Sequence, residues 1–152
     1  MNVMNVILGM KYIKIKKNSI TMLKHKHIII RADVNKPPRT TDEVTDWLKK
    51  LIKDINMKIL DGPHARRVDT KGNEGVTGVA IIETSHVVIH TWDAIQPSLV
   101  QLDVYSCKEF NPSLVLNSLS EFEPLAVDYK YFDRENNFKL LHEEKYKVTN
   151  EQ

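Results

Sequence analysis

The sequence contains a single cysteine among 152 residues, and its positive and negative charges nearly cancel. One cysteine, Cys107, cannot form an internal disulfide, which excludes a disulfide-stabilised secreted scaffold and favours a reducing compartment. The chain carries 22 Lys and Arg residues against 20 Asp and Glu residues, a formal net charge of +2. That balance gives no indication of a nucleic-acid-binding protein.

Long hydrophobic runs are also absent. No segment reaches the roughly 18 consecutive apolar residues that a membrane-spanning helix requires. The first ten residues lack the basic start and the small-residue cleavage site of a signal peptide. We therefore expect a cytoplasmic protein that contacts neither membrane nor nucleic acid, with residues 1–24 as a leader of uncertain order.

What the sequence does contain is enough apolar residues for one core. Hydrophobic residues make up 41% of the chain and charged residues 28%, which is typical of a globular domain. A chain of this length buries roughly 68–70% of its unfolded surface. One domain is predicted over residues 25–135, followed by a frayed C-terminal tail over 136–152.

Periodicity predicts two helices and six strands in the order β-α-β-β-β-β-α-β. The first helix, over 41–56, begins at a capping box formed by Thr40 and Glu43, and the second begins at Asn111 and runs to Phe122. Short links between the middle strands favour antiparallel neighbours. The predicted fold is α+β, a two-layer sandwich in which both helices cover one face of a largely antiparallel sheet. The predicted strands are His27–Val34, Met57–Leu60, Val76–Glu83, His86–Trp92, Leu99–Tyr105 and Leu125–Tyr131.

The densest group of chemically capable residues is the run from Glu83 to Asp93, which contains His86 and His90. A strand rises about 13 Å over four residues, whereas a metal–nitrogen bond is only about 2 Å long. The two histidines cannot share an ion if this run is a strand, and no metal site is predicted.

Two other interpretations follow from the residues alone. Ser85 or Cys107 could be the nucleophile of a hydrolase with His90 as base, although the G-x-S-x-G motif is absent. Alternatively, the histidines are satisfied core residues and Cys107 is a small buried hydrophobe.

Three motifs occur in order: G-V-T-G-V-A-I-I at 75–82, S-H-V-V-I-H-T-W at 85–92 and D-V-Y-S-C at 103–107. Together they resemble the core of prokaryotic S-adenosylmethionine decarboxylases, which are pyruvoyl-dependent. The resemblance covers roughly residues 27–131, and this chain looks like a divergent member of the family.

The resemblance implies that the chain processes itself between Thr84 and Ser85. The Ser85 hydroxyl would attack the Thr84 carbonyl and form an ester, and elimination would leave a β chain of 1–84 and an α chain that begins with a pyruvoyl group. His90 and Thr77 match the histidine and hydroxyl residue that assist this processing in the family.

The same resemblance implies a role for the lone cysteine. The pyruvoyl carbonyl would form a Schiff base with the substrate amine and accept the electron pair left by CO2. Cys107 matches the family's proton donor, and Trp92 and Asp93 match the substrate-binding region. The expected substrate is S-adenosylmethionine, for spermidine synthesis, and the expected assembly is a homodimer with shared active sites.

Several positions depart from the family pattern. Thr84 stands where glutamate normally precedes the serine, Asp93-Ala94 replace proline and glutamate, and residues 68–74 contain no aromatic residue to stack on adenine. These changes favour a smaller amino acid such as ornithine or arginine as an alternative substrate. A second alternative is an uncleaved, non-catalytic homologue that acts as a binding or regulatory subunit. The preceding polar loop, with His64, Arg66 and Arg67, is expected to be solvated or to face a substrate carboxylate.

Overall fold

The computed structural model describes residues 23–148. Residues 1–22 of the predicted leader and 149–152 of the predicted tail lie outside this range, and the predicted domain limits stay predictions. The strands are β1 (Lys26–Val34), β2 (Ile59–Val68), β3 (Gly75–Ile82), β4 (Ser85–Trp92), β5 (Ser98–Ser106), β6 (Pro124–Asp133) and β7 (Lys139–Lys147). The helices are α1 (Thr41–Asp54) and α2 (Pro112–Ser118), and α2 continues as a 3₁₀ turn over Leu119–Phe122.

All seven strands form one antiparallel sheet in the order β2-β3-β4-β5-β1-β6-β7. Both helices cover the same face, where Trp47 of α1 packs against Phe122 at a ring-centroid distance of 5.0 Å. The predicted α+β two-layer sandwich is therefore confirmed. No helix among residues 23–148 is long and apolar enough to cross a membrane.

Helix α1 forms as its sequence predicts. The Thr40 hydroxyl accepts the Glu43 N–H at 3.1 Å, and the Glu43 carboxylate accepts the Thr40 N–H at 2.9 Å, so the capping box is present. These hydrogen bonds hold the pKa of Glu43 below its usual range. The buried stripe of α1 consists of Val44, Trp47, Leu48, Leu51 and Ile52.

The prediction of a short second strand followed by a polar loop is wrong. Strand β2 continues through Gly62-Pro63 to Val68, with two shifts in its register against β3. β2 is an edge strand, where proline removes no necessary ladder hydrogen bond and polar residues meet solvent on both faces. Its hydrophobic alternation is therefore too weak to be recognised in the sequence.

The prediction of a frayed end from Asn136 is also wrong for residues 139–147, which form β7. This strand pairs with β6 through its backbone, and almost all of its side chains are exposed. Only Tyr146 is partly buried against the core. A strand that buries so few side chains leaves no apolar pattern in the sequence.

The two faces of the sheet differ sharply. Alternate residues of the central strands, such as Ile28, Ile89 and Val104, are fully buried under the helices. Their neighbours point to the other face, which no element of the described chain covers. This open face carries the polar residues of the sheet centre, namely His27, Thr77, His86, His90, Asp103 and Tyr105.

Close packing of α1 on β3 depends on Gly78. A Cβ atom at this position would lie 2.3 Å from Val44 Cγ1 and 3.0 Å from Leu48 Cδ1. Gly78→Ala is expected to lower the free energy of unfolding by about 1–3 kcal/mol, because the helix must move away from the sheet. Urea unfolding measures this change.

A second substitution separates crowding from other causes. Val44→Ala removes the nearest clashing atom, so the Gly78→Ala, Val44→Ala double variant should lose less stability than the sum of the two single variants. Strict additivity would show that the crowding at Val44 is not what Gly78 avoids.

Candidate active site

Ser85 lies at the start of β4, directly after the tight turn that joins β3 to β4. Ile82 and Ser85 are paired across this turn, and Ser85 adopts a φ of 150°. Positive φ is uncommon for a residue with a side chain, and such strain costs about 1–3 kcal/mol and clusters at functional sites. The predicted cleavage position thus lies at a strained residue directly after a two-residue turn.

The carbonyl before Ser85 has a specific hydrogen-bond donor. The Cys107 N–H donates to the Thr84 oxygen at 2.8 Å. Cys107 occupies this position because β5 pairs with β4 with Ser106 opposite Ser85. A backbone N–H directed at a carbonyl oxygen stabilises negative charge that develops there when the carbon is attacked. Three of the predicted residues therefore meet at the Thr84–Ser85 peptide bond, because Cys107 is hydrogen-bonded to its carbonyl.

Thr77 and His90 are also brought together, but at another point of the sheet. They are directly opposite each other on β3 and β4, and the Thr77 hydroxyl lies 3.0 Å from His90 Nδ1. His90 is five residues from Ser85 along the same strand, a separation of about 17 Å. Within one chain the Thr77–His90 pair cannot reach Ser85.

The two glycines that flank Thr77 explain the G-V-T-G motif. A Cβ at Gly75 would lie 1.8 Å from the Thr91 carbonyl oxygen, and Gly78 faces α1 as described above. Thr91 is buried and its hydroxyl accepts the Val76 N–H at 2.9 Å. Gly75 thus lets β3 approach the β4 backbone, Gly78 lets α1 approach β3, and Thr77 lies on the open face.

Sequence reasoning missed a network beside Ser85. His86 Nδ1 lies 3.3 Å from Ser85 Oγ, and His86 Nε2 lies 3.1 Å from Asp103 Oδ1. His27 Nε2 lies 2.9 Å from the same oxygen. Burial acts to raise the pKa of Asp103, but the hydrogen bonds and charges of His27 and His86 hold that pKa below its usual value.

The signal that could have found this network is strand pairing. Tyr105 on β5 is opposite His86 on β4 and opposite His27 on β1. Asp103, two residues away on the same face, is diagonal to both histidines and within reach of their long side chains. Because β1 is far away in sequence, the pairing that completes the network is not visible along the chain.

Trp92 lies at the far end of β4 from Ser85. Its indole N–H donates to Asn73 Oδ1 at 2.8 Å, and its ring centroid lies 6.0 Å from that of His90. Beside it is a shallow cavity of about 400 Å³, lined also by Glu74, Ala94 and Ile95. Substrate binding by Trp92 stays a prediction.

Asp93 is buried, with 3% of its side chain exposed. Arg67 binds both of its carboxylate oxygens, at 2.7 and 3.3 Å, and Arg39 donates to its backbone oxygen at 3.0 Å. The Arg67 hydrogen bond holds the pKa of Asp93 below its usual range. The predicted substrate-binding role of Asp93 is untested, but in this structure its carboxylate ties β2 to the end of β4.

The other basic residues of β2 do not form one group. Arg66 donates to the Ala65 carbonyl at 2.8 Å, while His64 lies 3.1 Å from Asp61. Within residues 23–148, no three His, Cys, Asp or Glu side chains are grouped as metal ligands.

A family model described as S-adenosylmethionine decarboxylase matches residues 27–135, which is more than half of the chain. The chain belongs to the S-adenosylmethionine decarboxylase family. The resemblance predicted from the three motifs is confirmed by this match. Both motif strands β3 and β4 and the Cys107 segment lie inside the matched region.

Members of the family with modest identity include two named S-adenosylmethionine decarboxylase proenzymes. The protein from Clostridium botulinum is 29% identical over 82 residues, covering 53% of this chain and 66% of its own. The protein from Methanococcus aeolicus is 38% identical over 57 residues, covering 36% of this chain and 47% of its own. The matched regions span less than two thirds of these relatives.

The fold of the family is also the fold of this chain. The crystal structure of the adenosylmethionine decarboxylase from Aquifex aeolicus matches with a TM-score of 0.59 and 22% identity. The match covers 86% of this chain and 96% of that one.

Proposed function

We propose that the protein is a self-processing, pyruvoyl-dependent decarboxylase that acts on S-adenosylmethionine and supplies the aminopropyl donor for spermidine synthesis. The observation that carries this proposal is the arrangement at the Thr84–Ser85 bond, where a strained serine follows a carbonyl that already accepts the Cys107 N–H. Family membership and relatives named as proenzymes support it.

The processing step starts from the serine hydroxyl. Ser85 Oγ attacks the Thr84 carbonyl carbon, the Thr84–Ser85 C–N bond breaks, and the hydroxyl proton ends on the Ser85 nitrogen, which leaves an ester. The Cys107 N–H stabilises the oxyanion that forms on the Thr84 oxygen. Loss of the Ser85 α-proton then eliminates the Thr84 carboxylate, and water replaces the nitrogen as ammonia, leaving a pyruvoyl group on the new chain.

The Thr77–His90 pair assists this processing from a second copy of the chain. Its distance from Ser85 along β4, about 17 Å, rules out action within one chain. The pair lies on the open face, which no described element covers and on which Ile81 is 48% exposed. A homodimer that joins two open faces would place each pair beside the partner's cleavage site, so each active site is shared.

The residues around Ser85 fit the expected pyruvoyl group. When present, the group supplies the electrophilic carbonyl that accepts the electron pair left by CO2. Cys107 is half-buried and free, and its N–H donates to the residue before Ser85, which supports its thiol as the proton donor to the substrate α-carbon. Trp92 is proposed to contact the substrate.

Mass spectrometry of the purified protein tests the proposal. We expect the 17.6 kDa chain to split after Thr84, giving a new chain whose N-terminal mass is that of pyruvoyl rather than serine. CO2 release is then measured with S-adenosylmethionine, ornithine and arginine side by side. A chain that stays whole after prolonged incubation would contradict the proposal and favour a non-catalytic homologue. CO2 release only from ornithine or arginine would contradict the substrate alone.

A further inference from the structure

The side chain nearest to the Ser85 hydroxyl belongs to the next residue in the chain. His86 Nδ1 is 3.3 Å from Ser85 Oγ, a distance within the looser range seen for catalytic hydrogen bonds before reaction. Thr77 and His90, the pair assigned to processing, are out of reach in the same chain. Ser85 therefore has a candidate base of its own, which the motif comparison does not assign.

The tautomer of His86 depends on the contact that its other ring nitrogen makes. An ionised carboxylate only accepts hydrogen bonds, so both histidines that contact Asp103 Oδ1 must donate to it through Nε2. The low pKa of Asp103 keeps this carboxylate ionised at neutral pH. In the neutral form of His86 this donation leaves the lone pair on Nδ1, and that nitrogen is the one facing Ser85.

Serine, histidine and aspartate thus form one chain of contacts, in the order that activates a serine hydroxyl in other proteins. His27 holds the far side of the carboxylate and has 19% of its side chain exposed, against 39% for His86. His86 is accordingly the more accessible of the two histidines and the only one that touches the serine.

We propose that His86, oriented by Asp103, accepts the Ser85 hydroxyl proton in the same chain and starts the acyl shift. The proton passes from Ser85 Oγ to His86 Nδ1 and then to the Ser85 nitrogen as the C–N bond breaks, so no external reactant is needed. His86 is the catalytic residue and Asp103 is a positioning residue. The Thr77–His90 pair then assists only the elimination that follows the acyl shift. This inference rests on the proposed self-processing.

Hydroxylamine distinguishes the two steps, because it cleaves esters rapidly and leaves amides whole. A chain arrested after the shift splits into residues 1–84 ending in a hydroxamate and a fragment that begins with an unmodified Ser85. A chain arrested before the shift stays at 17.6 kDa. Full-length chains are incubated with and without hydroxylamine and analysed by mass.

We expect His86→Ala to slow spontaneous cleavage by about 10²-fold or more and to remain whole in hydroxylamine. His90→Ala should instead be cleaved by hydroxylamine at Thr84. Asp103→Asn, which preserves the shape of the side chain, should slow cleavage at least about tenfold, since the carboxylate controls the tautomer of the histidine. It serves as the decisive variant if His86→Ala does not fold.

Two histidines provide matched controls. His27→Ala removes the other donor to the same Asp103 oxygen without touching Ser85, and His64→Ala disrupts a histidine–aspartate pair on β2. Both should process within a few-fold of the wild type. If His27→Ala and His86→Ala are equally slow, the network is only structural and the proposal is wrong.

The remaining outcomes are also decisive. If the wild type cleaves and His86→Ala and Asp103→Asn cleave at the same rate as the wild type, the role of His86 is wrong. The proposed function would then still stand. Hydroxylamine cleavage of His86→Ala would place His86 after the shift and would also overturn the role proposed for His86. A wild-type chain that never cleaves would overturn the proposed function first.

Discussion

Replacing Ser85 with alanine is expected to leave the protein as a single 17.6 kDa chain with no decarboxylation of any substrate. Alanine has no oxygen to attack the Thr84 carbonyl, so neither the ester nor the pyruvoyl group can form. Because alanine fits the β-strand pairing with Ser106, the fold should persist. Denaturing gels and intact mass test for the single chain, CO2 release tests for decarboxylation, and circular dichroism tests for the fold.

The control for this prediction is Cys107→Ala. The Cys107 N–H that contacts the Thr84 oxygen belongs to the backbone and is retained in alanine, so processing should continue. Turnover should fall by about 10²–10⁴-fold, since the thiol that supplies the proton is gone. Cleavage of Ser85→Ala at Thr84, or normal turnover by Cys107→Ala, would contradict the roles assigned to these two residues.

Local signals predicted those parts of the molecule that depend on neighbours along the chain. The capping box at Thr40 and the buried stripe of α1 follow from spacing within a few residues, and both are present. The two edge strands were missed for a common reason. Neither β2 nor β7 buries a continuous apolar face, and their formation depends on hydrogen bonds to β3 and β6 that no local pattern records.

The candidate site also has some features that the sequence predicts and others that depend on the sheet. Ser85, His90 and Cys107 could be named from motifs, because the resemblance fixes their positions in the sequence. The separation of about 17 Å between Ser85 and His90 depends on residues 85–92 forming a strand, which the motifs by themselves do not show. The contact between His27 and Asp103 requires β1 to insert between β5 and β6, which is a property of the sheet order.

Because Ser85 and His90 are far apart in one chain, the second large effect is expected when two variant chains are combined. Ser85→Ala chains lack the nucleophile and His90→Ala chains lack the assisting histidine, so neither variant alone should mature. In a mixed dimer, Ser85 of the His90→Ala chain meets His90 of the Ser85→Ala chain, and one complete site is restored. Coexpression of the two variants is therefore expected to recover cleavage from near zero.

The identity and amount of the cleaved chain make the test specific. Only the His90→Ala chain can be cut, and random pairing of equal amounts would place about half of those chains in mixed dimers. Mass spectrometry distinguishes the two chains directly. The matched control is coexpression of His90→Ala with a chain carrying both substitutions, which contains no intact His90 and should stay uncut.

If His90 acted within its own chain, mixing would restore nothing, because every chain with Ser85 would still lack its own histidine. Unassisted cleavage of His90→Ala at the wild-type rate would remove the residue from processing altogether. Recovery in the mixture, together with an uncut control, requires that His90 of one chain acts on Ser85 of another, as an interface between the open faces predicts. The distance of about 17 Å along one strand then becomes the reason that a chain of 152 residues cannot mature alone.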